Sequence, residues 1–548
     1  MDSVKMQPYK RVQKYSPDLI SLIRHPKAKY YRRAFDYHFE IAKHLNDVFK
    51  DLLGPKRRSK LIIKGSDEYK LTSDVLDVLE VLKENNPFCK ILYEEAENLR
   101  KTVGDGVTSY VVLTTNLIIG AKRLFDMGLK HVDILSGYSI ALNKSLEILD
   151  KIAVRKDYLS QDELKTLIKI HFPEEESFKH VVNIIYEAIK VILNNAGQID
   201  PDNIQVLGFA GGEISDSKFI IGTVLYDNFI THMNMPHNLE NVRVALIKQP
   251  IMVNKKWPVS KIAGIKAEIS IMSAADLKRA KEFERELLES KIQNLINHNV
   301  KLLLSESKDI DDYVLSLLEK YGIAVVRRIT KEESKLISLS TGAKLVPDIS
   351  MISESDLGFA KSFMEIKQGM RKYGGKSHII VEGDPQKAKS CCIILKAGSE
   401  QILNDVKSSV RRAIRAVAIA LKSRLFVPGA GVTELVLYKT LSDYARTIRG
   451  KRALGVEEFS KALYNMGNAL FYNLGRDPFA TVSKIISEAH EIVNDFCSNP
   501  FKYIPDVLEV KKQVLRKSWE TATMIIRIKD IIYKHRIKVK IGGKSIES

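Results

Sequence analysis

Cysteine is scarce in this chain, with four residues in 548: Cys89, Cys391, Cys392 and Cys497. Their spacing fits neither a zinc site nor a disulfide framework, and the pair Cys391-Cys392 lies within an apolar, strand-like run. Buried, reduced thiols in a cytosolic protein are the interpretation that this distribution favours. We therefore expect a cytoplasmic protein without disulfide bonds or thiolate-bound metal.

Long hydrophobic runs are also missing. The longest, around Val111–Ala121, contains threonine and asparagine and is shorter than the roughly 18 apolar residues that a membrane-spanning helix needs. The first residues, MDSVKMQPYKRVQKYSPD, lack the apolar segment of a secretion signal. We expect neither a membrane protein nor a secreted one.

Acidic side chains are outnumbered by basic ones, 67 against 86, which gives a formal net charge of +19. Such a surplus can indicate a basic nucleic-acid-binding protein, and this stays open as a remote alternative. The basic residues are spread over the whole chain and mixed with acidic ones, and no basic segment has interleaved aromatic residues. This pattern favours a basic, solvated surface or one suited to acidic partners, so we do not expect nucleic acid as a partner.

A glycine-rich loop directly before an apolar helix is the most informative stretch that is present. It reads TVGDGVTS over residues 102–109. Backbone N–H groups at the start of a helix bind anions, and glycines let a phosphate approach closely. A carboxylate beside phosphate is repulsive unless a cation lies between them, so Asp105 suggests a nucleotide site with Asp105 as a Mg²⁺ ligand. The loop lacks the Gly-Lys-Ser/Thr of a Walker A motif, and an ordinary turn before a buried helix is the open alternative.

The order of the predicted elements indicates several domains. At 548 residues the chain is too long for one core. Helical patterns fill the first 150 residues and return from Leu403 onward, residues 203–252 are β-rich, and residues 299–329 predict a strand–helix–strand unit of a parallel sheet. This layout favours a middle domain inserted into the two halves of a helical one. The last residues, Lys544–Ser548, are predicted to be unstructured.

Six motifs in the same order, spread over about 480 residues, resemble a group II chaperonin of the TCP-1/thermosome family. They are LGPK at 53–56, TSD at 72–74, VGDGVTSYVVL at 103–113, DDYVLSLLEKYGIAVVRRITKEESKLISLSTGA at 311–343, VPGAGVTE at 427–434 and ETATMIIRIKDII at 520–532. Each is weak alone, but together and in order they are specific.

The resemblance implies a fold, cofactors and partners. The fold would be the α/β multidomain chaperonin fold, with a mostly helical equatorial domain (1–150 and 400–548), a small mixed intermediate domain (151–212 and 365–399) and an inserted α/β apical domain with a helical protrusion (213–364). The implied cofactors are ATP or ADP and Mg²⁺. The implied partners are paralogous subunits in stacked eight-membered rings and the non-native client proteins that these rings enclose.

The resemblance also assigns roles to individual residues. Asp105 would hold Mg²⁺, and Asp74 would act near the attacking water, although a helix N-cap is the open alternative for Asp74. On the helix predicted over Asp309–Tyr321, the apolar residues would face the sheet. The residues implied to contact nucleotide are Leu53, Gly54, Pro55, Gly104, Asp105, Gly106, Val107, Thr108, Ser109, Gly429, Ala430, Gly431 and Asp506. The residues expected to face client proteins are Asp311, Asp312, Ser316, Glu319 and Lys320.

Two departures from the family pattern affect the nucleotide site, the first its affinity or closure and the second its hydrolytic position. Val107 stands where the family has threonine, which removes a hydroxyl from the phosphate loop. Arg412 falls where the family carries its hydrolytic aspartate, and a guanidinium cannot accept a proton. Asp405, seven residues earlier, is about 10 Å away along a helix. A misregistered alignment or a compensating acid stays open as an explanation.

These departures lead to a hypothesis about activity. The chain would bind nucleotide but hydrolyse it weakly or not at all, or would be a structurally dedicated, nucleotide-sensing ring subunit without ATPase activity. A ring built only of such subunits would have no hydrolysis to drive its cycle. The sequence therefore favours a hetero-oligomer in which other subunits retain the aspartate.

Overall fold

The computed structural model describes most of the chain. The described residues are 34–54, 57–63, 69–84, 86–226, 228, 230–232, 234–252, 274–368, 376–475, 477–529, 539–541 and 544–546. They form two compact units: the first combines the two ends of the chain, up to Glu174 and from Arg411, and the second comprises Glu175–Val410. This division is coarser than the five predicted segments, whose boundaries stay predictions. Within the described residues, none of the helices has the length and hydropathy that a bilayer span requires.

The N-terminal part of the first unit is mainly helical, as the sequence predicts. Asp74 caps one helix by accepting a hydrogen bond from the N–H of Leu76, and Asn86 caps the next from the position before Pro87. These caps satisfy N–H groups that have no partner within the helix, so they fix where each helix begins. The elements of this part are α1 (Ala34–Phe49), β1 (Lys60–Ile63), β2 (Tyr69–Thr72), α2 (Val75–Lys83), α3 (Pro87–Val103), α4 (Val107–Asp126), α5 (His131–Ile152), β3 (Val154–Arg155) and α6 (Gln161–Lys169).

The second unit contains two sheets and the helices packed against them. Its elements are α7 (Glu176–Ala196), β4 (Ile204–Ala210), β5 (Lys218–Ile220), β6 (Gly222–Leu225), β7 (Asn238–Ile247), α8 (Ala274–Asn297), β8 (Val300–Ser305), α9 (Asp312–Lys320), β9 (Ala324–Val326), α10 (Lys331–Thr341), β10 (Leu345–Val346), β11 (Gly358–Gln368), β12 (Lys376–Glu382), β13 (Cys391–Ala397) and the first part of α11 (Glu400–Ser423). The larger sheet has the strand order β6-β12-β11-β7-β8-β9, with β10 beside β7, and the smaller has the order β4-β13-β5. Strands β7, β8 and β9 are parallel, so the predicted strand–helix–strand unit is confirmed.

The C-terminal part completes the first unit around α4. Its elements after α11 are β14 (Leu425–Pro428), α12 (Val432–Thr447), α13 (Arg452–Asn473), α14 (Pro478–Ser487), α15 (Ala489–Ser498), β15 (Pro505–Val507), α16 (Leu508–Arg527), β16 (Val539–Ile541) and β17 (Lys544–Ile546). Helix α4 contacts α1, α13 and α16. Its buried polar groups are satisfied, because Thr114 donates to the carbonyl of Tyr110 and Asn116 donates to Asn46. The longest apolar run of the chain is therefore a helix at the centre of this unit.

Two expectations from the sequence are corrected here. The thiols of Cys89, Cys391 and Cys392 are buried as expected, but Cys497 is exposed, because it follows the buried Phe496 on α15 and a helix turns successive side chains by about 100°. The tail from Lys544 is not wholly unstructured, since β17 pairs antiparallel with β16. Strand β16 reads Val-Lys-Ile, and its β-branched residues on either side of a lysine favour strand formation.

Candidate nucleotide site

The Gly-Asp-Gly loop connects α3 to α4 and depends on both of its glycines. Gly104 ends α3 with a φ of 70° and Gly106 precedes α4 with a φ of 83°, in the left-handed region that favours glycine. A Cβ atom at Gly104 would lie 2.3 Å from the Cβ of Arg415, and one at Gly106 would lie 2.6 Å from a methyl group of Val514. The loop is thus packed closely against α11 and α16, which fixes its backbone at the start of α4.

A pocket with an empty volume of about 380 Å³ lies beside this loop. Asp105 lines it, and its side chain is 36% exposed. The other lining residues are Leu167, Ile170, His171, Ala416, Pro505, Asp506, Val507 and Val510. The pocket therefore joins the loop from the first part of the chain to β15 and α16 from the last part.

Asp105 is held in its ionised form. Burial acts to raise its pKa, but the charges of His171 and Arg57 and the N–H of Gly106 bring the pKa below its ordinary value. Nδ1 of His171 lies 3.9 Å from Oδ2 of Asp105. Burial lowers the pKa of His171, although Asp105 opposes that effect. The result is an anionic oxygen in a glycine-rich loop that lines the pocket, which suits a hard cation such as Mg²⁺.

The residues present fit Mg²⁺ in one particular way. Across the described part of the chain, no group of three or more His, Cys, Asp or Glu side chains could hold a metal ion. Mg²⁺ commonly binds through one or two carboxylates together with phosphate oxygens and water, and not through a cage of protein ligands. Asp105 supplies the single carboxylate that such a site requires.

Asp506 also lines the pocket and lies next to the second glycine-rich turn. Strand β14 pairs with β15 so that Val427 faces Asp506, and a Cβ at Gly429 would lie 3.1 Å from the carboxyl carbon of Asp506. Burial raises the pKa of Asp506, while Lys511, whose Nζ is 2.8 Å from Oδ2, acts to lower it. Lys511 also bonds Glu434 of α12. Burial opposes its charge, but these two carboxylates raise the pKa of Lys511 above its ordinary value.

The Leu53-Gly54 turn and the Gly429–Gly431 turn meet on one side chain of α13. A Cβ at Gly54 would lie 2.7 Å from one methyl group of Leu470, and a Cβ at Gly431 would lie 3.0 Å from the other. Asn473, one turn further along α13, donates to the carbonyl oxygen of Leu53 at 3.0 Å. Two turns from distant parts of the sequence are therefore adjacent. Pro55 lies outside the described residues.

Asp74 is connected to the same loop through Arg100. Nη2 of Arg100 lies 2.5 Å from Oδ1 of Asp74, and the carbonyl oxygen of Arg100 accepts the N–H of Gly104 at 3.0 Å. Asp74 is also the N-cap of α2, which was the alternative interpretation of this residue from the sequence. Its role as a helix cap and its position near the loop are compatible. The structure brings Asp74 and the Gly-Asp-Gly loop into one contiguous region.

Val107, Thr108 and Ser109 occupy the first turn of α4. Val107 is buried in the core of the first unit, whereas Thr108 and Ser109 are half-buried. An apolar side chain at position 107 is therefore compatible with the packing. The two hydroxyl residues stay at the helix N-terminus, where anions bind.

Arg412 lies on α11, on the face that the loop contacts. It is half-buried and sits one helical turn before Ala416, which lines the pocket. Residues three and four apart share a helix face, so Arg412 is on the same face as Arg415, which packs against Gly104. Its proposed replacement of an aspartate stays a prediction.

Comparison with known proteins decides the family. The model of the TCP-1/cpn60 chaperonin family matches residues 45–536. The chain belongs to this chaperonin family. It is 30% identical over 521 residues to a thermosome subunit of Pyrococcus horikoshii, covering 92% of each chain. It is also 30% identical over 520 residues to thermosome subunit beta of Thermococcus kodakarensis, again covering 92% of each, and 29% identical over 507 residues to thermosome subunit alpha of Archaeoglobus fulgidus, covering 90% of each.

The family membership confirms part of what the sequence predicts. The chain is a group II chaperonin of the thermosome/TCP-1 type with a multidomain α/β chaperonin fold. Chaperonins of this family bind ATP. The roles of the individual site residues stay predictions.

The helix expected to contact clients is α9, in the second unit of the chaperonin. Its Val314, Leu315 and Leu318 are buried, as expected for residues that face the sheet. Asp312, Ser316 and Lys320 are exposed, and Asp311 caps the helix. Oε2 of Glu319 is 2.8 Å from Nδ1 of His232, so this carboxylate already has a partner within the protein. Client binding at these five residues stays a prediction.

Four residues of the site were absent from the predicted set. Arg100, on α3, bonds Asp74, and His171, two residues after α6, lies 3.9 Å from Asp105. Lys511, on α16, bonds both Asp506 and Glu434 of α12. Glu434 lies within the VPGAGVTE stretch and was therefore within reach of the motif. For Arg100, His171 and Lys511 no motif gave a signal, because their roles arise from packing between distant segments.

Proposed function

We propose that this chain is a subunit of a hetero-oligomeric, double-ring cytosolic chaperonin that binds Mg-ATP and encloses non-native proteins for folding. The observation that supports the proposal is a pocket that Asp105 of the Gly-Asp-Gly loop lines together with Asp506, whose carboxyl group lies against the Gly429–Gly431 turn from the other end of the chain. The relatives are thermosome subunits, which supports assembly into rings of chaperonin subunits. Stacked eight-membered rings and a cytoplasmic location belong to the proposal.

We assign the nucleotide contacts as follows. The backbone of residues 104–109 holds the phosphates, Leu53-Gly54-Pro55 packs on the nucleotide, and Gly429-Ala430-Gly431 with Asp506 lines the base and ribose. Mg²⁺ would bind Asp105 and neutralise phosphate charge. The functional domains would be equatorial (1–150 and 400–548), intermediate (151–212 and 365–399) and apical (213–364).

We propose that hydrolysis by this subunit is weak or absent. Arg412 cannot accept a proton, and Asp74 is already paired with Arg100. The alternative is a structurally dedicated subunit that senses nucleotide and has no ATPase activity at all. A single-turnover measurement with Arg412→Asp addresses the role of Arg412, because no gain in rate would contradict its being the blocking residue.

Several stretches suggest a subunit type. Asn86-Pro87, Leu425–Gly431 and VSKI at 482–485 with His490 most resemble the theta subunit of the eukaryotic cytosolic chaperonin TRiC/CCT. We propose that the chain is a theta-like subunit. Negative-stain images of the purified native complex test the assembly, because a two-ring barrel has a distinctive outline.

Nucleotide binding is tested by calorimetric titration of the full-length chain with Mg-ATP. We expect Asp105→Asn to weaken binding at least about tenfold, as loss of a metal ligand would. Asp126→Asn is the matched control, because Asp126 ends α4, the helix that follows the loop, and among the contacts described it bonds only Lys122. Equal affinity of wild type and Asp105→Asn, or no binding by wild type, would contradict the proposed site.

A further inference from the structure

The pair formed by Asp74 and Arg100 involves one carboxylate oxygen with two donors. Oδ1 of Asp74 accepts the N–H of Leu76 at 2.9 Å and Nη2 of Arg100 at 2.5 Å. A carboxylate oxygen has about two lone-pair sites, so both acceptor positions of Oδ1 are used. The Asp74 side chain is only 9% exposed and that of Arg100 is 23% exposed. A charge-assisted bond that is partly shielded from water is stronger than a surface pair.

Arg100 is itself fixed by the phosphate loop and by α11. Its carbonyl oxygen accepts the N–H of Gly104 at 3.0 Å and is approached by Nη1 of Arg415 at 3.5 Å. Gly104 and Arg415 are in turn packed against one another. The guanidinium that holds Asp74 thus extends from the last turn of α3, directly before the loop.

A general base must have an oxygen within hydrogen-bond reach of the proton that it takes. In this site Oδ1 of Asp74 is occupied by the helix cap and by Arg100. A water could reach Oδ1 only by displacing the guanidinium, whose bond also fixes the orientation of the carboxylate, and the other candidate base position carries Arg412. The two arginines lie far apart in the sequence, since Arg100 is on α3 and Arg412 is on α11.

We propose that Arg100 is a second inhibitory residue of this nucleotide site: it holds Asp74 away from the attacking water, so that hydrolysis is blocked at both carboxylate positions and not at Arg412 alone. This inference rests on the proposed function, because it assumes that nucleotide occupies the pocket. Arg100 acts through Asp74 and is a positioning residue. The wild-type subunit then retains its triphosphate unhydrolysed.

The test compares Arg412→Asp, Arg100→Gln and the double variant in single-turnover hydrolysis by the full-length chain. We expect each single variant to gain about two- to tenfold, and the double variant to exceed the product of the two single gains by about tenfold or more. Arg100→Lys keeps the positive charge, so in the Arg412→Asp background it should give no more than the rate of Arg412→Asp alone. Lys101→Gln is the matched control, because exposed Lys101 pairs with Glu97 and not with Asp74.

A second set of variants tests whether Arg100 acts through Asp74 or only affects folding. Adding Asp74→Asn to the double variant should abolish its gain, because the carboxylate that Arg100→Gln releases is then absent. The inference is overturned if the double variant keeps its gain with Asp74→Asn, or if Arg412→Asp alone gives the full gain. Mg-ATP affinity is measured alongside: intact binding with no effect of Arg100→Gln overturns this inference only, whereas no binding by wild type overturns the proposed function as well.

Discussion

At the scale of single residues, His38 connects burial to the pH dependence of stability. Its side chain on α1 is 4% exposed, its ring lies 5.7 Å from that of Phe88, and neither ring nitrogen has a hydrogen-bond partner within the described ranges. Burial lowers its pKa from 6.5 to about 4. The unfolded chain therefore binds a proton at a pH where the folded chain does not.

The sign of the effect follows from this difference. The free energy of unfolding is unaffected by His38 above pH 6.5 and falls as the pH drops from 6.5 toward 4. One pKa unit corresponds to about 1.4 kcal/mol, so the full effect is about 3 kcal/mol. Urea unfolding at pH 7.5 and pH 5 should show a smaller loss for His38→Phe than for wild type, while His44→Gln on the same helix keeps the wild-type loss. An unchanged loss in His38→Phe would contradict the assignment.

Alanine substitution at Gly104 combines two costs, backbone strain and steric overlap, which a comparison with Gly128 can separate. Alanine at a positive φ costs about 1–2 kcal/mol, and overlap of the new Cβ with Arg415, only 2.3 Å away, adds about 1–3 kcal/mol. Gly128 has a φ of 85°, and nothing lies within 4 Å of the position that a Cβ would take there, so Gly128→Ala reports strain alone. In urea unfolding we expect Gly104→Ala to lose more stability than Gly128→Ala. Equal losses would mean that α11 moves away from the loop without cost.

The site was predictable from sequence where its residues act locally. Gly104, Asp105 and Gly106 form one contiguous motif, and Asp74 follows the Thr-Ser pair that precedes a helix. Arg100 was not predictable, because its bond to Asp74 depends on how α3 packs beside α2. Side chains that reach across helices leave no periodic pattern in the sequence.

At the scale of elements, Gln205 joins the smaller sheet to the larger one in the second unit. Its Nε2 donates to the carbonyl oxygen of Val224 at 2.8 Å, and its Oε1 accepts the N–H of Val224 at 2.9 Å. The side-chain amide of β4 thus replaces a neighbouring strand for β6, which is at the edge of its sheet. The backbone N–H and carbonyl oxygen of Val224 are thus both hydrogen-bonded to the same side chain.

Loss of this amide should loosen β6. Leaving partly buried backbone groups unpaired costs about 1–3 kcal/mol, so we expect Gln205→Leu to lose about that much and Gln205→Glu, which keeps only the acceptor, to lose less. Hydrogen exchange at the amide of Val224 should accelerate in Gln205→Leu. Gln386→Ala changes an exposed glutamine and should leave that amide unchanged. Unaltered exchange in Gln205→Leu would refute the role of the amide.

The elements also show which folding signals are local. Helix boundaries were predictable because Asp74, Asn86 and Pro87 act within one turn, and the parallel pairing of β8 with β9 was predictable from a single strand–helix–strand repeat. The position of β11 between β7 and β12 was not, because it depends on contacts more than one hundred residues apart in sequence on one side. Sheet order therefore required the structure.

At the scale of the whole molecule, the two units have separate hydrophobic cores. Leu113 is fully buried in the core of the first unit and Leu303 in that of the second. Truncating a buried leucine to alanine costs about 2–5 kcal/mol. We expect calorimetry of the full-length chain to resolve two transitions, with Leu113→Ala lowering one and Leu303→Ala lowering the other. These two variants assign each transition to its unit.

Nucleotide then discriminates between the transitions. All candidate nucleotide residues lie in the first unit, and a ligand at one hundred times its dissociation constant stabilises the folded state by about 2.7 kcal/mol. Mg-ATP should therefore raise only the midpoint of the transition that Leu113→Ala lowers, and the weaker binding expected of Asp105→Asn should cut the rise to about half or less. If hydrolysis is blocked as proposed, the rise should persist through long incubation before the scan. A midpoint shift confined to the transition that Leu303→Ala lowers would indicate that the nucleotide binds in the second unit. A rise that decays with incubation would mean that this subunit hydrolyses ATP.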